Sequence, residues 1–305
     1  MARLAAVGNL VFDIIETPYA RSQGRVLSGC STNSALAYAK LGGKASLLSR
    51  VGREWENKAK RLLEGYGIEA HLLPSEETGG FRIKYLSKDM RDRELIVLGV
   101  ADRISPEDLP ESLLSADAFV IGPILGEVSS DLILKIRRES GDKPILVDPQ
   151  GLVRRVDGER VVRVATREAY EVIKLSSVFK PNEHEAEVLF PEYSPMDAAA
   201  RIRELGAEVG VVTVAEKGSY IASSRGVYHI PAYGTREVDP TGCGDVYAGA
   251  MAYYMLRGED PVTAAAYASA AASYMVEYCG PEFPLPRQGV EERAEAILEG
   301  VRRVG

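Results

Sequence analysis

Asp239-Pro240-Thr241-Gly242-Cys243-Gly244-Asp245 is the stretch on which the reading of this chain turns. It follows an extended segment, Val227-Tyr228-His229-Ile230. It opens a run from Val246 to Leu256 that is rich in small and apolar residues and stops at Arg257-Gly258. A glycine after such a run marks a helix end. A glycine turn ahead of a helix leaves backbone N–H groups unpaired at the positive end of the dipole, which suits a phosphate or a developing oxyanion. Asp245, a carboxylate among those donors, is out of place if the turn only binds anions. It makes sense as the group that takes a proton from a nucleophile attacking the anion. The alternative is a capping Asp after a flexible turn.

Two familiar nucleotide motifs are excluded. The chain has no G-x-x-x-x-G-K-[ST] run, so it is not a P-loop NTPase. A dinucleotide fingerprint would need glycine where Tyr247 stands and would follow the first strand.

The 305 residues suffice for one large α/β domain or two small ones. A net charge of −7 and the lack of any basic run argue against nucleic acid as a partner, though not against a local phosphate site. Leu4-Ala5-Ala6-Val7 runs into Gly8-Asn9 and Asp13 without a cleavage-like site, so it is expected to be a first strand rather than a signal peptide. The Ala-rich run from Ala264 to Val276 is too short and too broken by Ser to span a membrane, so no membrane partner is expected. Three cysteines (Cys30, Cys243, Cys279) cannot all pair, and the simplest expectation is a reducing, cytoplasmic setting. Only seven Asn and Gln, with Arg outnumbering Lys 26 to 11, hint at a heat-adapted source.

Short apolar runs alternate with helix-length amphipathic segments. The runs are Leu4–Val7, Ala45–Val51, Ala118–Ile121, Ile145–Val147, Ser177–Phe179 and Val209–Val214. Strands spaced by helices predict βαβ units, a mostly parallel sheet and helices on both faces. Phe81–Leu86 and Arg93–Leu98 break the rhythm around a polar turn at 89–92, and the first of them alternates apolar with charged residues, as a half-exposed hairpin strand does. With extended pieces near 14–17 and 25–27, this hairpin predicts a small β-layer placed as a lid, formed by about 14–28 and 79–100. No linker or repeat divides 1–305, so a single domain is expected.

Other constellations fall near predicted strand ends. Ser28-Gly29-Cys30-Ser31-Thr32-Asn33 enters a helix over Ala35–Leu41. Its Asn33 amide either meets ligand hydroxyls or caps the helix. Asp13 lies just past the first strand, where doubly wound sheets collect ligands, or is a solvated loop acid. Lys180-Pro181-Asn182-Glu183-His184-Glu185 follows another strand. Asn182 and Glu185 have capping-box spacing, and Glu185 could equally hold Mg²⁺ through water, since Mg²⁺ keeps several waters and uses one or two carboxylates. His184 is expected at the surface. Thr213 to Gly218 ends a buried strand in a turn that could line a base or ribose pocket. Asp148-Pro149-Gln150-Gly151 ends another strand, and Arg154 and Arg155 after it meet a phosphate or solvent.

Together these stretches resemble the ribokinase-like (PfkB) carbohydrate kinases. Asp239–Asp245 is similar to that family's C-terminal signature. Gly29…Asn33 with Leu41-Gly42 and Val51-Gly52 resembles its N-terminal one, Asn182…Glu185 its Asn-x-x-Glu motif, and Thr213…Gly218 its nucleotide turn. The order and spacing fit over essentially the whole chain.

The resemblance implies a three-layer α/β fold with a β-sheet lid. It further implies Asp245 as catalytic base, with Gly242, Cys243 and Gly244 as the anion hole. Asp13, Gly29 and Asn33 would hold the acceptor. Asn182, Thr213, Gly218 and the Gly242–Gly244 turn would hold ATP or ADP, and Glu185 the Mg²⁺. A monovalent cation such as K⁺ would lie at Asp239, Thr241 and Gly280, and a homodimer would form through the lid. The expected acceptor is a small sugar-like molecule: a sugar, a nucleoside, myo-inositol or ribose 1-phosphate. A non-catalytic sugar- or nucleotide-binding regulator is the alternative on the same fold. Ser28, Pro240, Ala215 and Glu54 depart from the family's usual Gly, Thr, Gly and Asp. On the lid strand, Arg82 and Lys84 share one face, opposite Phe81, Ile83 and Tyr85. Either that cationic face is solvated, or Arg82 reaches a phosphate already on the acceptor.

Overall fold

The computed structural model describes residues 2–305. Ten strands form the main sheet, in the order Arg302–Arg303, Gly226–Ile230, Ser219–Ser223, Val209–Thr213, Val178–Phe179, Ile145–Val147, Ala118–Ile121, Arg3–Val7, Lys44–Gly52 and Ile68–Ser75. From Val209–Thr213 to Ile68–Ser75 the pairings are all parallel, and the remaining strands add antiparallel at one edge.

Strand alternation sends residues to two cores. Leu4, Ala6, Leu47, Val120 and Val211 pack on one side of the sheet, and Ala5, Val7, Leu48, Phe119 and Val212 on the other. Both faces are thus covered, as parallel sheets require. On the first side lie helices Cys30–Lys40, Cys243–Leu256 and Pro261–Met275, whose Ala- and Gly-rich surfaces are buried nearly all round. The last contains the Ala-rich run questioned above as a membrane span. It is a core helix, and no described helix is long and apolar enough to cross a membrane.

A second sheet of six strands lies beside the carboxyl edge of the first, in the order Arg154–Asp157, Arg160–Arg163, Arg93–Gly99, Gly80–Tyr85, Val11–Glu16 and Val26–Ser28. The expected lid segments contribute four of these strands. Arg154–Asp157 and Arg160–Arg163 were not expected; they form a hairpin whose turn carries Gly158. Phe81, Ile83 and Tyr85 are buried in a small core of their own with Val11, Ile15 and Met90, while Arg82 and Lys84 face out. The predicted alternation holds.

Candidate active site

One cleft of about 770 Å³ runs between the two sheets. It is lined by strand-end residues and by the first turn of helix Cys243–Leu256. Gly242 starts that helix with φ 84°, a left-handed conformation suited to glycine, and a Cβ there would lie 2.8 Å from Nδ2 of Asn33. No described group accepts from the N–H of Gly242 or Gly244. The Cys243 N–H instead turns back to Pro240 O at 3.3 Å. The free glycine N–H groups of this turn are therefore those of Gly242 and Gly244, and the Cys243 N–H, expected as a third donor, is already engaged. Burial holds the Cys243 thiol well above its ordinary range, so it is a protonated packing group.

Asp245 faces this turn from the helix's first residues. Asn33 Nδ2 donates to its Oδ2 at 2.9 Å, which makes Asn33 an orienter of the carboxylate; the helix cap of Cys30–Lys40 is Gly29. Burial, then the nearby Asp148 carboxylate, push the Asp245 pKa up, while Asn33 and the Lys180 ammonium pull it back. Lys180 is 1% exposed and pairs with Asp148 at 2.7 Å. Its ammonium also lies 3.4 Å from where a Cβ on Gly244 would be, so one buried cation lies beside both the acidic pair and the glycine turn. The Cys30 thiol completes this group, within 4.8 Å of the Asp148 and Asp245 carboxylates, and burial keeps it protonated.

Asp13 and Gly29 line the cleft at the end expected to receive the acceptor. Phe81 N donates to Asp13 Oδ1 at 2.8 Å, fixing the lid strand to the acid that faces the cleft. Burial raises the Asp13 pKa to about 7, against the opposing Phe81 hydrogen bond. Its folded value thus exceeds its unfolded one. The protonated form stabilises the fold fully below the ordinary carboxylate pKa, and this contribution is lost as pH rises to about 7. Two results are expected. The acceptor KM should fall as pH rises through about 7, because the ionised carboxylate is the better hydroxyl partner. Asp13→Asn should raise that KM, flatten its pH dependence, and remove the loss of stability between pH 4 and 7, checked by thermal unfolding across that range.

At the other end, Asn182 and Glu185 form a complete capping box at 3.0 Å in each direction. The box engages Glu185 Oε2 and Glu185 lines the cleft, so the capping and metal readings are compatible. Burial, then Asp148, raise its pKa. Thr213 and Gly218 bound the turn beyond, where Ala215 takes φ 43° in place of the family's usual glycine. The lid tip reaches this turn through the exposed Arg91–Glu216 ion pair. Asp239 lies behind the signature: Oδ1 accepts from Thr241 N at 2.9 Å, while Oδ2 is buried without a hydrogen-bond partner among the described residues. Gly280 lies on the neighbouring buried turn, next to Cys279, whose thiol meets Asp239. His184 is exposed, as expected.

Arg82 requires correction. It is exposed on the outer face of the lid and does not line the cleft, because strand alternation sends Phe81, Ile83 and Tyr85 inward. The cations that do line it are Arg91, Arg93, Arg154, Arg163, Lys180 and Lys217. Arg155, paired with Arg154 in the reading above, is exposed on the opposite face of its strand.

The pfkB family carbohydrate kinase model matches residues 1–288. A nucleoside kinase from Methanothermobacter thermautotrophicus is 30% identical over 300 residues, covering 94% of this chain and 93% of that protein. A pyrophosphate-dependent kinase of the ribokinase family, solved with a pyrophosphate analogue and myo-inositol, superposes with a TM-score of 0.81 at 24% identity, covering 95% of this chain and 99% of that one. A putative ribokinase II from E. coli, solved with ATP and Mg²⁺, gives 0.74 at 22% identity, over 98% and 100% of the two chains. The chain belongs to the PfkB family of carbohydrate kinases and is a phosphotransferase of the sugar and nucleoside kinase type.

Proposed function

We propose that the whole chain acts as one unit, with the small sheet as its lid, to transfer the γ-phosphoryl of ATP (or the β-phosphoryl of ADP) to a hydroxyl of a small sugar-like acceptor. The observation that carries this reading is a half-buried carboxylate, Asp245, beside two free amides and a buried ammonium. Asp245 accepts the hydroxyl proton as the acceptor oxygen bonds to phosphorus and the bond to the nucleotide oxygen breaks. Gly242 N–H, Gly244 N–H and Lys180 take up charge on the phosphoryl group in transit. Asp13 holds the acceptor, and Asn33 orients Asp245. The turn from Thr213 to Gly218 and Asn182 receive the nucleotide. Lid contact with that turn excludes water and so suppresses hydrolysis of the donor.

Glu185 fits a water-mediated Mg²⁺, since its box uses one oxygen and its carboxylate lines the cleft. When bound, the metal supplies charge neutralisation on the donor phosphates. The orphaned Asp239 Oδ2 likewise fits a monovalent cation held with Thr241 and the Gly280 turn. A homodimer through the lid belongs to the same reading and is supported by family membership.

Glu185→Gln separates metal support from capping, because Gln serves a capping box as well as Glu does. The Mg²⁺ needed for half-maximal activity should rise with little change in melting temperature. Lower stability with an unchanged Mg²⁺ response would leave Glu185 as a cap alone. The direct test of function is a panel of sugars, nucleosides, myo-inositol and ribose 1-phosphate, assayed with ATP and with ADP.

A further inference from the structure

Arg154 and Arg163 stand directly opposite each other in the hairpin that the sequence reading missed, so both side chains leave the same face, toward the cleft. Like charges so placed repel. Arg93 joins them from the lid strand, where it pairs across with Tyr85 and donates to its hydroxyl at 3.2 Å; that hydroxyl meets Thr241 of the signature at 3.1 Å. Among the described residues, none of the three arginines has a carboxylate within ion-pair distance, whereas Arg91 and Arg160 of the same sheet pair with Glu216 and Glu94. The one side-chain hydrogen-bond partner of the Arg154 guanidinium among the described residues is the neutral Gln150, at 2.6 Å. Burial, then Arg93, draw the Arg154 pKa down to about 10, and burial lowers that of Arg163 in the same way. Glu185 acts on all three through space, but no carboxylate touches them, and three like charges so grouped favour an anion that contacts them directly.

We infer that Arg93, Arg154 and Arg163 form a subsite for a phosphate group already present on the acceptor, so that the preferred substrate is a sugar monophosphate rather than a neutral polyol or nucleoside. This rests on the phosphotransfer reading above and adds the acceptor's class to it. Position favours the acceptor over the donor. Arg154 acts electrostatically on Asp13 at the acceptor end as well as on Glu185, so the cluster lies between the two ends, and the donor end already has its own groups in Lys180, Asn182 and the turn from Thr213. The planar guanidinium fork matches a phosphate dianion bidentately. In the reaction a free hydroxyl of the monophosphate gives its proton to Asp245 and forms the new P–O bond. The bond to the donor's leaving oxygen breaks, and the existing phosphate is unchanged, so the product is a sugar bisphosphate.

The test pairs calorimetry without nucleotide with steady-state kinetics, on the wild type, Arg154→Gln and Arg163→Gln. The second variant changes a residue at the exposed mouth of the cleft and guards against misfolding of the first. The probes are ribose 1-phosphate, ribose 5-phosphate, ribose and myo-inositol. Expected is tighter binding of at least one monophosphate than of ribose or myo-inositol. Each substitution should raise that monophosphate's Kd and KM by ~10–100-fold, with the donor KM near its wild-type value. If monophosphates bind in this pattern but no acceptor is phosphorylated, the subsite stands and the phosphotransfer reading fails. If a neutral acceptor is phosphorylated best, or if the substitutions raise only the donor KM, the subsite is refuted and the kinase reading stands.

Discussion

Asp245→Asn is expected to lower kcat by ~10²–10⁴-fold, the usual cost of losing a positioned base, while nucleotide still binds. The isosteric amide keeps the helix start and can still meet Asn33 after an amide flip, so the loss falls on proton transfer rather than on folding. Because burial and Asp148 raise the pKa of Asp245, wild-type kcat should fall on the acid side at a higher pH than an ordinary carboxylate would give. The variant's residual rate should lack that limb. A kcat near wild type in Asp245→Asn would show that the acceptor proton leaves by another route.

Lys180→Met should produce the largest combined effect on stability and rate. Removing one partner of a fully buried pair leaves the other charge uncompensated, at a cost of ~3–5 kcal/mol, and here that charge is Asp148. A fall in melting temperature on the order of 5–10 °C follows. Activity should fall as well, since the same ammonium lies beside Gly244 in the phosphate-facing turn proposed above. With the cation gone, Asp245 faces Asp148 alone and its pKa rises further, so the acid limb of the remaining activity moves to higher pH. Lys180→Met with Asp148→Asn should recover stability, because the uncompensated charge is then removed, but should not recover rate. A single variant as stable and as active as the wild type would refute both roles of Lys180.

Much of this arrangement was legible in the sequence because the relevant signals are local. A glycine turn followed by a small-residue helix marked a candidate anion site, and period-two alternation at Phe81–Tyr85 predicted that Phe81, Ile83 and Tyr85 share the face opposite Arg82 and Lys84. Alternation also argued against Arg82 as a cleft residue, since a strand that buries Phe81, Ile83 and Tyr85 must turn Arg82 outward. The hairpin bearing Arg154 and Arg163 was legible too: Gly158-Glu159, a two-residue turn with glycine first, lies between two short strand-like runs. Lys180 was quoted there as part of a motif but given no role. Its pairing with Asp148 depends on two neighbouring parallel strands, Ile145–Val147 and Val178–Phe179, which place side chains 32 residues apart within contact. The same holds for Asn33 and Asp245, 212 residues apart, where two helices meet above the sheet. Cys243 was assigned to the anion hole by its place in the motif, but the direction of a single N–H is set by turn geometry that residue types do not specify.

The central claim is that this cleft transfers phosphoryl to a hydroxyl with Asp245 as base, and ³¹P NMR of the reaction tests it most directly. With ATP or ADP, Mg²⁺ and the acceptor panel, the wild type should give a new phosphomonoester resonance that grows in step with nucleotide product, and Asp245→Asn should give almost none. Nucleotide cleaved to inorganic phosphate with no ester formed, or ester formed equally fast by both proteins, would contradict the account.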